Sequence, residues 1–409
     1  MWIELKRGRR SLRFPYDQSM RPRATWAAVL AAGLLFLLLP SPGFAEPITP
    51  TRDDEIVEVL PASSGARDED RRLRKQLADH PGDVTLAVMV ARRDLARARE
   101  AGDPRFAGLA LAALRRWPDA ATAPDEVLLL RATLQQYLHE FDASVANLRL
   151  LLARPGGERM AQAWLTLATV WRVQGRYAES DTACRHVGSA GVQVYSSACL
   201  AENAALRGEV ANARKTFEAL LANPGLPAAT QGWLLTSLAE LETRDGRAAS
   251  ADAAFRGVLR LGPDSYAAVD YADFLIDQGR PSEALKVLKD ETRTDAVLLR
   301  LAIAGTRASA PTATRDVAEM RDRIALANQR PDASKFHGRE QAMFALAIDH
   351  VAPRALELAR GDVELQREAI DVLVLAEAAR ASGEARAIDE ARRLKATIGL
   401  HDRRIDALL

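Results

Sequence analysis

The stretch AQAWLTLATVWRVQGRYAESDTACRHV, residues 161–187, decides the fold of this chain. Its first half places apolar residues at the spacing of one helix face, at Trp164, Leu167, Ala168 and Trp171. This helix is expected to end at Gly175, because glycine adopts the left-handed backbone conformation at little cost. A second stripe follows at Tyr177, Ser180, Cys184 and Val187. The stretch therefore predicts a helical hairpin whose two helices approach closely at Ala168 and Ser180.

The same frame recurs along the chain. With Ala161 as position 1, repeats with a small residue at positions 8 and 20 start at Asp125, Ala161, Val194, Gly232 and Ser265. These starts are separated by 36, 33, 38 and 33 residues. The pattern resembles the tetratricopeptide repeat, strongly over residues 125–290 and more weakly over 83–399. The resemblance implies an all-α, right-handed superhelical solenoid of antiparallel helix hairpins.

The weaker ends of the array keep the period but lose the consensus residues. We expect roughly nine hairpins, with an N-terminal array over 68–292 and divergent hairpins and a cap over 293–409. Two histidines, His139 and His350, occupy the position of the turn glycine. Histidine is among the non-glycine residues enriched at positive φ, so both are expected to be structural.

Composition excludes several classes of partner. The chain is 48% hydrophobic but only 5% aromatic, which favours helices packed closely through alanine and leucine. Its formal net charge is +1, with 56 basic and 55 acidic residues. No overall field therefore favours nucleic acid or an anionic membrane surface.

The N-terminus has the pattern of an export signal. An uncharged apolar run over 26–39 is shorter than a membrane span, and the small residues Gly43 and Ala45 place cleavage before Glu46. Residues 1–45 are thus a predicted signal peptide, with Met20 as an alternative start, and 46–67 a flexible tether. We expect a periplasmic protein without a stable membrane span; the alternative is an uncleaved inner-membrane anchor.

The sequence carries no catalytic or metal-binding motif that we recognise. No two of its six histidines are close enough in sequence to form a local metal pair, and HExxH, CxxC and GxSxG are absent. We expect no cofactor, no metal and no catalysis, and the resemblance implies an adaptor of the exported proteobacterial type. The alternative is a solenoid that supports or carries a cell-wall or polysaccharide-modifying activity. The only stretch outside the repeats long enough to carry a site is Gly305 to Lys335.

Cys184 and Cys199 are the only cysteines. Export would allow a disulfide to persist. Their repeat positions, however, place one in a hairpin core and the other near the groove side, with a Cα separation expected to exceed about 7 Å, the limit for a bridge. Two buried thiols are therefore preferred over a disulfide.

The resemblance also indicates where a partner binds. In this family, positions 2, 5, 9, 12 and 13 of the first helices face a concave groove. Position 2 is aromatic in three consecutive repeats, at Tyr195, Trp233 and Tyr266, and position 9 is acidic in the same three, at Glu202, Glu240 and Asp273. These residues predict a groove for a protein or peptide with basic residues. The alternative is that the rings cap repeat interfaces and the acids are solvated.

Overall fold

A computed structural model describes residues 65–329 and 338–409. The predicted signal peptide, and the predicted tether up to residue 64, lie outside the described residues. The last residues of that tether are helical, because the first described helix starts at Gly65. The chain divides into two units between Glu69 and Asp70, and the second unit, Asp70–Leu409, contains all of the described residues except 65–69.

The described residues form twenty α-helices and no β-strand. In chain order they are α1 (Gly65–Asp79), α2 (Val84–Ala101), α3 (Pro104–Ala113), α4 (Asp125–Tyr137), α5 (Phe141–Leu152), α6 (Ala161–Val173), α7 (Tyr177–Ser189), α8 (Gln193–Leu206), α9 (Val210–Leu221), α10 (Ala228–Arg244), α11 (Ala248–Leu261), α12 (Ser265–Asp277), α13 (Pro281–Leu288), α14 (Asp295–Arg307), α15 (Ala313–Ala327), α16 (Gly338–Phe344), α17 (Ala352–Leu365), α18 (Ala369–Ser382), α19 (Ala385–Ile398) and α20 (Arg403–Leu408).

From α2 to α19 these helices pack in consecutive pairs, and the first helix of each pair also contacts the first helix of the next. The first helices thus form a continuous inner layer. The prediction of an all-α solenoid of TPR-like hairpins is confirmed. The array also curls back on itself, since a Cβ added to Gly102, after α2, would lie 2.8 Å from Cβ of Thr294, at the start of α14.

Small residues bring the two helices of a hairpin together as the repeat spacing predicts. The hydroxyl of Ser180 donates a hydrogen bond to the carbonyl oxygen of Ala168 over 2.8 Å. One repeat earlier, Ser144 donates to Ala132 over the same distance. All four residues are fully buried. A hydroxyl on one helix therefore reaches the backbone of its partner, which a larger residue at either position would prevent.

The hairpin turns also follow the sequence. Gly175 has a φ of +73°, and His139 and His350, in the glycine position of their repeats, have φ values of +58° and +55°. The structural role predicted for the two histidines is confirmed.

The prediction of two free thiols is wrong. Cys184 in α7 and Cys199 in α8 form a disulfide, with a Cα separation of 5.7 Å. The short turn between these helices brings position 24 of one repeat against position 6 of the next. Within one hairpin, positions 24 and 6 lie on different surfaces, but in consecutive repeats the two side chains meet where the helices cross.

The stretch from Gly305 to Lys335 is not an insertion outside the repeats over the part that the structure describes. It contains the end of α14, a turn in which Ser309 has a φ of +51°, and the whole of α15. Helices α14 and α15 pack on each other as a hairpin like the others. Within residues 305–329, therefore, the chain continues the array.

The C-terminal helices return across the middle of the array. The backbone N–H of Arg367, before α18, donates to the carbonyl oxygen of Val173 at the end of α6 over 2.6 Å. The N–H of His401, before α20, donates to the carbonyl oxygen of Leu206 at the end of α8 over 2.7 Å. The C-terminal ends of inner-layer helices are thus covered by the last hairpins. None of the helices in the described residues has both the length and the apolar character needed to cross a bilayer.

Candidate functional site

A cavity of about 530 Å³ lies between the inner layer and the C-terminal helices. Helices α6, α8, α10, α12 and α14 provide one side, and residues of α16, α18 and α20 provide the other. A volume of this size falls in the range of sites that hold small ligands or a few peptide side chains. The concave surface predicted as an open groove is therefore largely covered in this structure.

Five of the six predicted groove residues line this cavity, namely Glu202, Trp233, Glu240, Tyr266 and Asp273. Tyr195 does not. Its ring stacks on that of Trp233 with centroids 5.6 Å apart, and its hydroxyl lies 2.9 Å from that of Thr230. Tyr195 therefore packs between consecutive repeats, as the alternative interpretation of the rings proposed.

Glu202 is held within the protein. Arg172 lies 2.6 Å from its carboxylate, Trp233 Nε1 donates to it over 3.0 Å, and the Ser237 hydroxyl donates over 2.5 Å. Arg172 balances its charge, and the two hydrogen bonds from Trp233 and Ser237 both go to Oε1. Glu202 thus shapes the cavity wall and is poorly suited to attract a further cation.

Asp273 is neutralised in the same way. Arg300 in α14 donates to its two carboxylate oxygens over 2.9 and 2.7 Å, and only 4% of that arginine side chain is exposed. This is the bidentate geometry in which a guanidinium binds a carboxylate best. Neither Glu202 nor Asp273 is the solvated acid of the alternative interpretation.

Glu240 differs from the other two acids because it faces another carboxyl group. The charge of Glu240 acts on Asp270 of the next repeat, which also lines the cavity, and Tyr266 Oη donates to Glu240 over 3.2 Å. Its nearest cation, Arg244, lies 3.6 Å away, outside hydrogen-bonding distance. Two carboxyl groups can share a hydrogen bond only when one of them carries a proton.

The pKa values of both carboxyl groups are raised, although 33% of the Glu240 side chain is exposed. Burial and then the charge of Glu240 raise the pKa of Asp270 well above its usual value, and burial also raises the pKa of Glu240. Tyr266 lines the cavity, and 63% of its surface is accessible. The cavity therefore contains a carboxyl pair of low charge beside an accessible aromatic ring.

Sequence reasoning missed Asp270 and every arginine of the cavity. Arg172 and Arg244 stand at groove-facing positions 12 and 13 of their repeats, so the signal was present. Asp270, at position 6, had no such signal. Arg339 and Glu368 come from the C-terminal helices and pair with each other over 2.7 Å. Their presence in the cavity depends on how the chain returns, which repeat positions do not encode.

The described residues contain no group of three or more histidine, cysteine or acidic side chains placed to hold a metal ion. The chemistry that the cavity offers is recognition through charged hydrogen bonds and aromatic surface. The carboxyl pair adds one group able to give up a proton.

Comparisons with known proteins add little beyond architecture. No protein-family profile matches the chain, and no curated protein matches its sequence. Among solved structures, it is similar to the crystal structure of Rap protein complexed with competence and sporulation factor. The two share 12% sequence identity and a TM-score of 0.45, over 84% of this chain and 94% of that one. A similarity of this size carries no conclusion about ligand or activity.

Proposed function

We propose that this protein is a non-enzymatic interaction scaffold of the bacterial cell envelope. Its cavity binds a segment of a peptide or protein that carries a lysine or arginine side chain. The observation that carries this proposal is the Glu240–Asp270 pair, two interacting carboxyl groups that line the cavity, with no arginine within hydrogen-bonding distance of Glu240 among the described residues.

A cationic ligand would change the protonation of this pair. Without a ligand cation between the two carboxyl groups, burial and the charge of Glu240 raise the pKa of Asp270, which favours a proton on the pair. An ammonium or guanidinium group between the two would stabilise both charges, so the shared proton would leave as the ligand binds. The accessible ring of Tyr266 lies beside this position and supplies a face for the alkyl part of the same side chain.

Of the three groove acids predicted from the sequence, only Glu240 remains available to bind a cation. Glu202 and Asp273 already have arginine partners, so recognition of a cation is confined to one point of the cavity. Replacing both Glu202 and Glu240 by lysine would not test cation binding alone. A lysine at position 202 would also place a second cation against Arg172.

The test uses short peptides of defined charge. Acetylated and amidated Gly-Lys-Gly, Gly-Arg-Gly and Gly-norleucine-Gly are titrated calorimetrically into the protein and into a Glu240→Gln, Asp270→Asn variant. The basic peptides should bind about tenfold or more tightly than the norleucine peptide, the size of a charge-assisted hydrogen bond. The variant should lose this preference. Asp290→Asn, at a side chain that is 86% exposed, is the matched control and should keep it.

Proton release gives a second readout. Repeating the titration in buffers of different ionisation enthalpy should show protons released by the wild-type protein near neutral pH and none by the double variant. Equal affinity for lysine and norleucine peptides in the wild-type protein would refute the proposal.

A location in the envelope is proposed on the sequence of residues 1–45 alone. After expression in a Gram-negative host, the protein is expected in the periplasmic fraction with Glu46 as its first residue. Mass spectrometry of the intact protein measures this directly. A retained Met1 or Met20, or recovery in the cytoplasm, would contradict it.

One observation favours a second candidate function. Paired carboxyl groups that share a proton also serve as the acid and base of some hydrolases. The catalytic alternative predicts turnover of a peptide or polysaccharide that disappears in Asp270→Asn. Binding without turnover in the wild-type protein favours the scaffold.

A further inference from the structure

We infer that the cavity contains a second subsite, formed by Arg244 and Tyr177, which binds a carboxylate of the ligand. The inference rests on the proposed function, because it concerns the same cavity and the same ligand. It assigns that ligand a chemical class: a group that presents an amine and a carboxylate close together.

Tyr177 provides the first observation. It is the first residue of α7, it lines the cavity, and only 4% of its surface is exposed. Its hydroxyl has no hydrogen-bond partner among the described residues. Burial raises the pKa of Tyr177 to about 12, so the hydroxyl keeps its proton and remains a donor at neutral pH. The charged groups that act on it include Arg244, Arg172 and Glu368, all of which line the cavity.

Arg244 provides the second, independent observation. This last residue of α10 lines the cavity with 8% of its surface exposed, and its Nε has no hydrogen-bond partner among the described residues. Its one described ion pair is the contact of 3.6 Å with Glu240. By contrast, Arg300 on the same cavity makes two short bonds to a carboxylate. A buried guanidinium is costly unless an acceptor satisfies it.

Both side chains line the same cavity, and the positive charge of Arg244 lowers the pKa of the Tyr177 hydroxyl more than any other charged group does. A carboxylate matches this pair best. Its two oxygens can accept from a guanidinium and a phenol at once, and its single negative charge balances Arg244. A phosphate dianion fits less well, because Glu202, Glu240 and Glu368 also line the cavity and would repel the extra charge.

The spacing of the two subsites limits the ligand. Arg244 Nη1 lies 3.6 Å from Glu240 Oε2, so the carboxylate and the amine of a ligand must lie near each other. In a free amino acid the α-amine and the carboxylate are attached to the same carbon, and in a peptide whose last residue is lysine or arginine the flexible side chain can fold to bring its cation near the terminal carboxylate. The structure thus points to the C-terminal basic residue of a peptide or to the amino acid itself.

Four probes distinguish the contribution of the amine to binding from that of the carboxylate. They are acetyl-Gly-Gly-Lys with a free carboxylate, the same peptide as its C-terminal amide, acetyl-Gly-Gly-norleucine with a free carboxylate, and free lysine. Affinities are measured calorimetrically at one pH and ionic strength. The free acid of the lysine peptide should bind about tenfold more tightly than its amide. If free lysine binds as tightly as the peptide, the ligand is an amino acid; if it binds more weakly, the ligand is a peptide end.

Two variants test whether Tyr177 and Arg244 bind the carboxylate of the ligand. Tyr177→Phe removes only the hydroxyl, and Arg244→Met removes the charge from a side chain of similar length; in each, the ratio of acid to amide affinity should fall toward one. Tyr271→Phe is the matched control. It removes a hydroxyl that donates to Asp252 over 2.9 Å at a residue that does not line the cavity, so the ratio should persist.

The outcomes are distinct for the two proposals. Equal binding of acid and amide in the wild-type protein, or a ratio that persists in both Tyr177→Phe and Arg244→Met, overturns the carboxylate subsite. If the lysine amide then still binds with release of a proton, the proposed function stands. If the norleucine acid binds as tightly as the lysine acid, the amine site fails while the carboxylate subsite stands. No binding by any probe overturns both.

Discussion

The backbone N–H of His401 donates a hydrogen bond to the carbonyl oxygen of Leu206, over 2.7 Å, from the far end of the chain. The last carbonyl groups of a helix have no partner within it, so a donor from elsewhere stabilises the helix end. Arg367 does the same for Val173 at the end of α6. Backbone N–H groups of the C-terminal hairpins thus bind carbonyl groups at the ends of inner-layer helices. The same hairpins cover the cavity.

Two turn glycines allow this docking to be measured. Gly175 and Gly279 have similar φ values, +73° and +69°. A Cβ on Gly279 would meet nothing within 4 Å, whereas one on Gly175 would lie 3.0 Å from Ile398 Cγ2 and 3.5 Å from Arg367 Cβ. Gly279→Ala should lower the free energy of unfolding by about 1 kcal/mol through backbone strain alone. Gly175→Ala should lose a further 1 kcal/mol or more, roughly, from overpacking.

Urea denaturation of the two variants measures the difference between them. Hydrogen exchange should also become faster at residues 365–409 in Gly175→Ala and stay unchanged there in Gly279→Ala. Equal losses of stability with unchanged exchange in both variants would mean that the C-terminal hairpins do not rest on this turn.

The disulfide gives a second prediction. It joins Cys184 and Cys199, which are 15 residues apart and fully buried. Closing a loop of this length restricts the unfolded chain by about 3 kcal/mol. Unfolding in the presence of a reductant should therefore show a loss of this size, and a Cys184→Ala, Cys199→Ala variant should be insensitive to the reductant. Thiol titration of the unfolded, unreduced protein should detect no free cysteine; two free thiols would contradict the bond.

The sequence predicts the hairpins because each depends on neighbours at a fixed spacing. Ser180 and Ala168 lie twelve residues apart, the spacing of positions 8 and 20 in every copy of the repeat, so their contact follows from the pattern. The disulfide was missed because a side chain at a helix crossing belongs to two repeats at once. Repeat frames describe each hairpin alone and do not give the distance across such a crossing.

The sequence predicts only the wall of the cavity that the repeats form. Groove positions follow from the repeat, and they placed five of six residues on its wall. The return of the C-terminal helices depends on curvature summed over many repeats, which no local pattern contains. Asp273 is an example. The sequence predicts that it attracts a cationic ligand, but in the structure it is already paired with Arg300.

The pH dependence of stability should reflect Glu377 in α18. Burial, followed by the charge of Asp277, raises the pKa of Glu377 to about 7, although Arg404 and Arg307 act in the opposite direction. Asp277, at the end of α12, has its pKa raised to about 6 by desolvation from the surrounding protein and the charge of Asp273, although 41% of its side chain is exposed. Between the ordinary pKa values of these acids and the raised ones, the folded protein binds more protons than the unfolded chain. Their contribution to stability therefore falls as the pH rises through 6 to 7.

Glu377→Gln removes the larger of these two penalties. At pH 8 it should raise the free energy of unfolding by an amount on the order of 1 to 3 kcal/mol. At pH 5 most of this gain should vanish, because the wild-type glutamate is then protonated in the folded state. Urea titrations at the two pH values test this against Asp290→Asn, whose exposed side chain should give no such difference. A gain that is the same at both pH values would show that the charge of Glu377 is not the cause.

Two aspartates in one turn of α12 provide the sharpest test of the cavity. Asp273 is held by Arg300, which is 4% exposed, whereas the charge that acts most strongly on Asp270 is that of Glu240. Asp273→Asn leaves a buried guanidinium without its counter-charge, and the free energy of unfolding should fall by about 3 kcal/mol. Burial and the charge of Glu240 raise the pKa of Asp270 well above its usual value, so Asp270→Asn at pH 8 should leave stability unchanged or raise it by up to about 1 kcal/mol.

A double variant, Asp273→Asn with Arg300→Met, tests whether the unpaired arginine causes the loss of stability. The added change removes the unpaired charge, so the double variant should regain much of the stability that Asp273→Asn loses. Urea denaturation at pH 8 measures all three variants beside the wild-type protein. Equal losses for Asp270→Asn and Asp273→Asn would mean that Asp270 is ionised and bound in the folded protein. The cavity would then contain no shared proton for a cationic ligand to displace.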